Sequence, residues 1–190
     1  MSKLETNTID TISGSTTLTI GDSNTSTIAL KSGATLTNFP KNTPAFEARL
    51  SGNQSVNHAT FTKVQCNDEI YDTDNAYDNS TNYRFNPQVA GKYFCYFGAR
   101  GFAGGSDPDG VRFMIIAPYK NGSLIRDYNG FDSDPNEMRH MELTVNAVVE
   151  LNGSSDYLEF FGYVYAENLS SSGVVLNSNQ TYFGAYKIIE

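Results

Sequence analysis

The sequence predicts an all-β fold, and three observations support this prediction. Gly, Asn, Ser and Thr recur along all 190 residues and divide the chain into short apolar or β-branched runs. Apolar residues do not recur at the 3.6-residue spacing of an amphipathic helix. The composition also supplies core material, because each of the 12 Tyr and 12 Phe side chains can bury about 150–250 Å². A chain of this length can form one ordinary domain with an appendage.

The charge and hydropathy of the chain argue against several classes of protein. The chain has 21 acidic and 13 basic residues and a formal net charge of -8. Unspecific nucleic-acid binding needs a basic surface, so we expect no nucleic-acid partner. There is no apolar run of about 18 residues, so we expect no membrane insertion. The first residues lack the apolar region of a secretory signal, which indicates folding in a cytosol unless a signal was removed.

Residues 1–43 differ in character from the rest of the chain. They contain one aromatic residue, Phe39, and consist of β-branched runs between Gly, Ser, Asp and Asn. A segment so poor in apolar residues cannot hold a core alone, although several copies wound together could pool their apolar faces. We therefore predict an extended β-rich shaft or docking segment over residues 1–43. A flexible Thr/Ser-rich linker is the alternative.

Residues 44–190 have the pattern of a domain built from short strands. Asn121-Gly122 and Asn152-Gly153 are strong signals for tight turns between strands. Eight or nine strands over roughly 150 residues are typical of a sandwich or jelly roll of two antiparallel sheets. The predicted strands are residues 45–50, 59–65, 82–85, 92–100, 111–119, 124–128, 138–151, 156–166 and 180–189.

Three of these strands, 92–100, 156–166 and 180–189, carry large apolar side chains on both faces. Successive side chains of a strand point to opposite faces, and a two-layer sandwich buries only one face of each sheet. The second face needs another cover, since a large exposed aromatic patch is unusual on a monomer. Self-association is the simplest cover. The residues that we place in the core or at an interface between copies are Tyr93, Phe94, Tyr96, Phe97, Tyr163, Tyr165, Tyr182 and Tyr186.

A series of short motifs keeps a fixed order through residues 44–190. It runs from Ala-Phe-Glu-Ala at 45–48 and Phe-Thr-Lys-Val at 61–64, through Ala-Gly-Lys-Tyr-Phe at 90–94, to Thr-Tyr-Phe-Gly-Ala-Tyr-Lys-Ile at 181–188. In this order the motifs resemble the globular head of complement component one, subcomponent q, whose superfamily includes the tumour-necrosis-factor-like jelly rolls. The resemblance implies a jelly-roll sandwich that assembles as a homotrimer, with one sheet facing the three-fold axis. Strand 92–100 and the final strand would belong to that sheet.

The N-terminal segment departs from the vertebrate members of that family, which usually carry a collagen stalk. Its Thr/Ser/Gly runs resemble short repeats of fibre and appendage proteins in tailed bacteriophages. We interpret the chain as a structural virion protein, made in the host bacterial cytoplasm. Its N-terminal segment would contact other virion proteins, and its C-terminal knob would bind a host-surface receptor or glycan. The alternatives are a capsid decoration or head-fibre protein of the same fold, and a secreted lectin-like or cytokine-like ligand.

The surface of the predicted knob would be formed by polar and aromatic loops, among them 103–110 and 129–135. These loops are where we expect a receptor to bind. The candidate receptor-facing residues are Asp107, Asp109, Asn129, Phe131 and Asp132.

Motifs for catalysis are absent from the sequence. There is no Gly-x-Ser-x-Gly elbow and no Gly-rich phosphate loop with its Lys, so we predict no enzymatic activity and no cofactor. The two cysteines, Cys66 and Cys95, are expected to be buried free thiols, although a disulfide is possible if their strands are neighbours. Calcium is the one metal worth considering, because Asp72-x-Asp74 begins like a calcium loop. Asp72, Asp74 and Asp78 are weak ligand candidates, against a simple role as solvated turn carboxylates.

Overall fold

Alternating side chains and tight turns give this chain an antiparallel β-structure. The computed structural model describes residues 41–103, 110–125, 129–132, 138–166 and 174–189, together with Ser32. A single turn of 3-10 helix, Ser178–Gln180, interrupts the strands in these ranges. The strands are β1 (Ala45–Arg49), β2 (Gln54–Val56), β3 (Thr62–Lys63), β4 (Asp68–Asp72), β5 (Tyr77–Asp78), β6 (Arg84–Phe85), β7 (Gly91–Ala103), β8 (Val111–Lys120), β9 (Ser123–Leu124), β10 (Asn129–Asp132), β11 (His140–Leu151), β12 (Leu158–Ala166), β13 (Val174–Leu176) and β14 (Tyr182–Lys187).

The strands form two antiparallel sheets. In the first, sheet A, β7 pairs with β11 along one edge and with β14 and then β13 along the other. β14 continues the sheet to β1 and β4, and β13 continues it to β2. Sheet B has the order β10-β8-β12-β6-β5, with β9 beside β8 and β3 beside β12. The predicted jelly-roll sandwich of two antiparallel sheets is confirmed.

The core between the sheets is rich in aromatic rings. The odd-numbered residues of β7 from Tyr93 to Gly101 are buried in it, so the even-numbered residues Phe94 and Tyr96 point out of the sandwich. Phe46 of β1 lies at the centre. Its ring stacks on Tyr77 at 4.4 Å and on Phe85 at 4.6 Å between ring centroids. In a core packed this densely, the free energy of folding is sensitive to the size and shape of each side chain.

Some strands lie outside the predicted ones. The acidic segment around residues 67–78 includes β4, which pairs with β1, and β5, which pairs with β6. Part of the loop predicted at 129–135 is β10, which pairs with β8. Predicted strand 59–65 is a regular strand only at Thr62–Lys63, and the N–H groups of Ala59 and Val64 also donate hydrogen bonds to carbonyl oxygens of β12. These strands lie near the margins of the sheets, where partial solvation removes the alternation of polar and apolar residues that reveals a strand.

Several further expectations can be compared with the described residues. Cys66 and Cys95 are both free and buried, as expected, and burial raises the pKa of each thiol. The predicted boundary after residue 43 stays a prediction, because residues 1–43 lie outside the described part apart from Ser32 and 41–43. No helix in the described residues has the length and apolarity needed to cross a membrane.

Replacement of Phe46 by Ala tests the aromatic core. Phe46→Ala removes a fully buried ring that also contacts Phe183 edge-on at 4.8 Å. We expect the free energy of unfolding to fall by about 3–5 kcal/mol, measured by denaturant titration at one protein concentration. Leu124→Ala is the control, since Leu124 is 43% exposed, and it should cost about 0.5 kcal/mol or less. Equal losses in the two variants would contradict this description of the core.

Candidate functional site

The outer face of sheet A carries a continuous group of aromatic side chains. We call it the aromatic face and define it by Phe94, Tyr96, Val148, Tyr182 and Tyr186. Strand register brings these residues together: Phe94 of β7 lies opposite Tyr186 of β14 on one side and Val148 of β11 on the other. The rings of Phe94 and Tyr186 are 5.4 Å apart, and those of Tyr96 and Tyr182 are 6.3 Å apart.

Two glycines let the tyrosine rings of the aromatic face lie flat on the sheet. Gly184 lies opposite Tyr96, and Gly98 lies opposite Tyr182. A Cβ atom added to Gly184 would lie 2.2 Å from Cζ of Tyr96, and one added to Gly98 would lie 2.4 Å from Cζ of Tyr182. A side chain at either position would therefore lift the ring above it. The glycines make the aromatic face smooth.

Tyr96 also anchors the aromatic face to the neighbouring strands. Its hydroxyl donates a hydrogen bond of 2.7 Å to Oε2 of Glu47 in β1. Burial raises the pKa of the Tyr96 phenol, and hydrogen bonds with Tyr71 and Glu47 raise it further. The neutral phenol is therefore the favoured form of Tyr96 in the folded protein.

The aromatic face is exposed enough to bind a partner. Val148 is 58% exposed, and Phe94, Tyr96, Tyr182 and Tyr186 are half-buried. Large rings that retain a solvent-facing side are typical of surfaces that become buried on association. The aromatic face presents phenols, a phenyl ring and a carboxylate that is already hydrogen-bonded. These groups are better suited to binding a partner than to catalysing a reaction.

The other two predicted aromatic residues, Tyr163 and Tyr165, lie on the outer face of sheet B, across the sandwich. There the chain itself supplies part of the cover. The His58 ring stacks on Tyr165 at 5.0 Å, and Phe61 contacts Tyr163 at 5.3 Å. An ion pair between Lys63 and the buried Glu159 holds this segment in place. The eight predicted aromatic residues thus divide among the core, the aromatic face and the outer face of sheet B.

The structure describes the candidate metal-binding residues but not the side chains of the predicted receptor-facing residues. Asp107 and Asp109 lie outside the described residues, and so do the side chains of Asn129, Phe131 and Asp132. The described part of the chain contains no group of three or more metal-ligating side chains. The three weak calcium candidates, Asp72, Asp74 and Asp78, take part in short-range hydrogen bonds.

Asp78 shows most clearly what these carboxylates do. It accepts hydrogen bonds from the backbone N–H groups of Ser80, Thr81 and Asn82. These hydrogen bonds lower the pKa of the Asp78 carboxyl, and the bond from the N–H of Thr81 has the largest effect. Its observed role is to close a turn.

Sequence reasoning did not identify Glu47, Tyr71, Gly98 and Gly184 as parts of the site. A glycine inside a strand often marks the close approach of another group, and Gly98 and Gly184 carry that signal. Their tyrosine partners depend on the register between β7 and β14, which the sequence does not display. No comparable signal marks Glu47 or Tyr71.

Comparisons with known proteins bear on the fold. No protein-family model matches the chain, and no curated protein matches it. Among solved structures, the crystal structure of murine APRIL at pH 5.0 is similar with a TM-score of 0.50 at 13% identity, covering 76% of this chain and 98% of that chain. The structure of Eiger TNF from S. frugiperda is similar with a TM-score of 0.50 at 12% identity, covering 77% of this chain and 91% of that chain. The chain therefore has a tumour-necrosis-factor-like jelly-roll fold.

The raised pKa of Tyr96 predicts a pH dependence of stability. The neutral phenol is favoured in the folded state, so its contribution is complete below the unfolded pKa of about 10 and is lost as pH rises above it. We expect Tyr96→Phe to lose less stability than the wild type between pH 9 and pH 11, measured as the free energy of unfolding at each pH. Tyr77 and Tyr93 also have raised pKa values, so the Tyr96→Phe variant should still lose some stability over this pH range, but less than the wild type. Identical pH profiles would contradict the role assigned to Tyr96.

Proposed function

We propose that the chain is a non-catalytic trimeric binding knob, and that it serves as a fibre or appendage protein of a tailed bacteriophage. The observation that carries the proposal is the aromatic face, which is smooth, rich in aromatic rings and only half-buried in one protomer. Packing three copies around a three-fold axis through this face would supply the missing cover. The jelly-roll fold and the sequence resemblance to complement heads support the same arrangement.

The chemistry of the aromatic face favours a stable assembly. Burying a large apolar side chain contributes about 1.5–3 kcal/mol, and the four rings and Val148 each have surface left to bury. Tyrosine suits such an interface because its ring can be buried while its hydroxyl keeps a hydrogen-bond partner, as Tyr96 does with Glu47. In each protomer the hydrogen bond to Glu47 fixes the Tyr96 ring before association, which reduces the entropy lost at the interface.

Symmetry decides which surfaces a closed trimer can use. In a cyclic trimer, each protomer contacts its neighbours through two different patches. The aromatic face and the outer face of sheet B point in opposite directions, so pairing one with the other would produce an open filament. The partner patch for the aromatic face must therefore lie along an edge of the sandwich. This leaves the outer face of sheet B and the loops at the ends of the sandwich for contacts with other molecules.

In the proposed setting, the N-terminal segment docks on the virion and the knob contacts the host surface. Three identical sites on one axis strengthen weak individual contacts through avidity. A capsid decoration or head-fibre role would use the same assembly without a receptor.

A secreted cytokine-like ligand is the second candidate, and the likeness to murine APRIL and to Eiger TNF favours it. Electron microscopy of antibody-labelled particles separates the two. Virions that carry this gene should be labelled on the tail or an appendage if the first proposal is right. Label on the head would indicate the decoration role, and unlabelled particles would favour the secreted ligand.

A charge placed on the aromatic face tests the trimer. Wild-type protein should have a native mass of about 63 kDa, three times the 20.9 kDa protomer. The Val148→Asp variant should fold, because Val148 is exposed in the protomer. Assembly through the aromatic face would, however, bury the new carboxylate without a partner. A buried charge without a partner of opposite charge costs about 3–5 kcal/mol of free energy. We therefore expect the affinity between protomers to fall at least about 100-fold.

The measurement is native mass spectrometry over a dilution series. Val89→Asp introduces the same charge at an exposed position of the loop before β7, at an end of the sandwich and outside the aromatic face, and should keep the trimeric mass. A monomeric wild type, or a Val148→Asp variant that associates as tightly as wild type, would refute assembly through this face.

A further inference from the structure

A cleft without charged side chains lies beside the end of β1. Its volume is about 380 Å³, and its walls are the turn of residues 50–55, Gln65 and Asn67 ahead of β4, and Tyr83 ahead of β6. None of these residues is acidic or basic, although the chain as a whole carries a net charge of -8. A neutral, strongly polar wall on an acidic protein indicates a ligand that is polar but uncharged.

The amide side chains of the cleft are held in fixed orientations. Oδ1 of Asn67 accepts a hydrogen bond of 3.0 Å from the N–H of Ser51, and Oδ1 of Asn53 accepts one of 3.0 Å from the N–H of Ser178. With each oxygen engaged, the amide nitrogen must point elsewhere. Among the described residues, neither nitrogen has an acceptor. In these two exposed side chains, the amide nitrogen is therefore the group left to donate to a ligand's oxygen atom.

Gln54 stiffens the wall of the same cleft. Its Oε1 accepts from the N–H of Gln65 at 2.9 Å, and its Nε2 donates to the carbonyl oxygen of Lys63 at 2.8 Å. Both ends of this amide are used within the protein. The residues that form the cleft are thus tied to each other across the sequence, which limits the entropy lost when a ligand binds.

Tyr83 adds an aromatic surface and an unusual backbone conformation. Its φ of 50° lies in the left-handed region, which is uncommon for a bulky side chain. Such conformations persist only where the surrounding structure enforces them, and they are concentrated at ligand sites. Tyr83 is half-buried and is one of the residues that line the cleft. An aromatic ring beside amide donors matches a sugar, which has an apolar C–H face and a rim of oxygen atoms.

We propose that this cleft binds an uncharged sugar residue of a glycan. The inference rests on the proposed attachment function and names the class of its ligand. Each protomer has its own cleft, so a trimer would present three. Acidic sugars are disfavoured, because the cleft offers no cation and the acidic protein repels them.

Protein-observed NMR of the isotope-labelled full chain tests the site. The probes are glucose, galactose and N-acetylglucosamine, with N-acetylneuraminic acid and a blocked Gly-Ser-Gly peptide as competing chemistries. We expect at least one neutral sugar to shift the amide signals of Gly52, Asn53, Asn67 and Tyr83, and neither competitor to do so. The native mass of the same sample is measured in parallel.

Asn67→Asp is the sharpest variant for this test. It keeps the Oδ1 acceptor for Ser51 but replaces the donor nitrogen with a carboxylate oxygen, so the neutral sugar should bind at least about tenfold more weakly. Asn53→Asp follows the same logic if Asn67→Asp does not fold. Asn57→Asp, at an exposed position outside the cleft wall, is the matched control and should bind like wild type.

Several outcomes would overturn the assignment. They are the absence of shifts with all neutral sugars, binding of the acidic sugar or the peptide instead, and neutral-sugar binding that Asn67→Asp and Asn53→Asp leave unchanged. If no sugar binds to an intact trimer, the sugar site is refuted and the proposed assembly is unaffected. If the protein is monomeric but binds the sugar through these residues, the assembly is refuted and the site stands.

Discussion

Strand β7 imposes the constraint on which the rest of the structure depends. Its residues Tyr93 to Phe97 are all large or apolar, and alternate side chains of a strand must point to opposite faces. A two-layer sandwich can bury only one set. Tyr93, Cys95 and Phe97 enter the core, so Phe94 and Tyr96 are left on the outside of sheet A. The proposed trimer follows from the need to cover that outer set.

The two outer faces of the sandwich solve this problem differently. On sheet B, segment 58–63 contacts Tyr163 and Tyr165, and the Lys63–Glu159 ion pair fixes it there. On sheet A, the glycines opposite Tyr96 and Tyr182 let the rings lie flat, and the face ends in a smooth surface. A surface of that shape gains more from contact with another molecule than from local rearrangement. This difference supports the proposal that sheet A serves assembly and the rest of the knob serves external contacts.

Much of the fold could be predicted from the sequence, because strong alternation and turn chemistry are local signals. Asn121 and Gly122 have φ values of 53° and 75°, as the tight turn between β8 and β9 requires. Strands β7, β12 and β14 were predicted to carry large apolar side chains on both faces, but which face enters the core is visible only in the structure. Strands β4 and β10 were missed because their polar sequences lack that alternation.

The candidate sites were less predictable, since they depend on contacts between distant residues. Aromatic excess indicated an interface, but only strand register shows that Tyr96 lies over Gly184 and reaches Glu47. Likewise, the cleft joins the turn at residues 50–55 to Asn67 and Tyr83, which no spacing in the sequence connects. Such sites require the three-dimensional structure.

Hydroxyl-radical footprinting of the tyrosines tests the central claim most directly, because it reports which face is covered in solution. At concentrations where the protein is associated, Tyr182 and Tyr186 should be protected from oxidation, and dilution should expose them. Tyr163 and Tyr165, on the outer face of sheet B, should react to the same extent at both concentrations. Protection of Tyr163 and Tyr165 in place of Tyr182 and Tyr186, or no change for any of the four, would contradict assembly through the aromatic face.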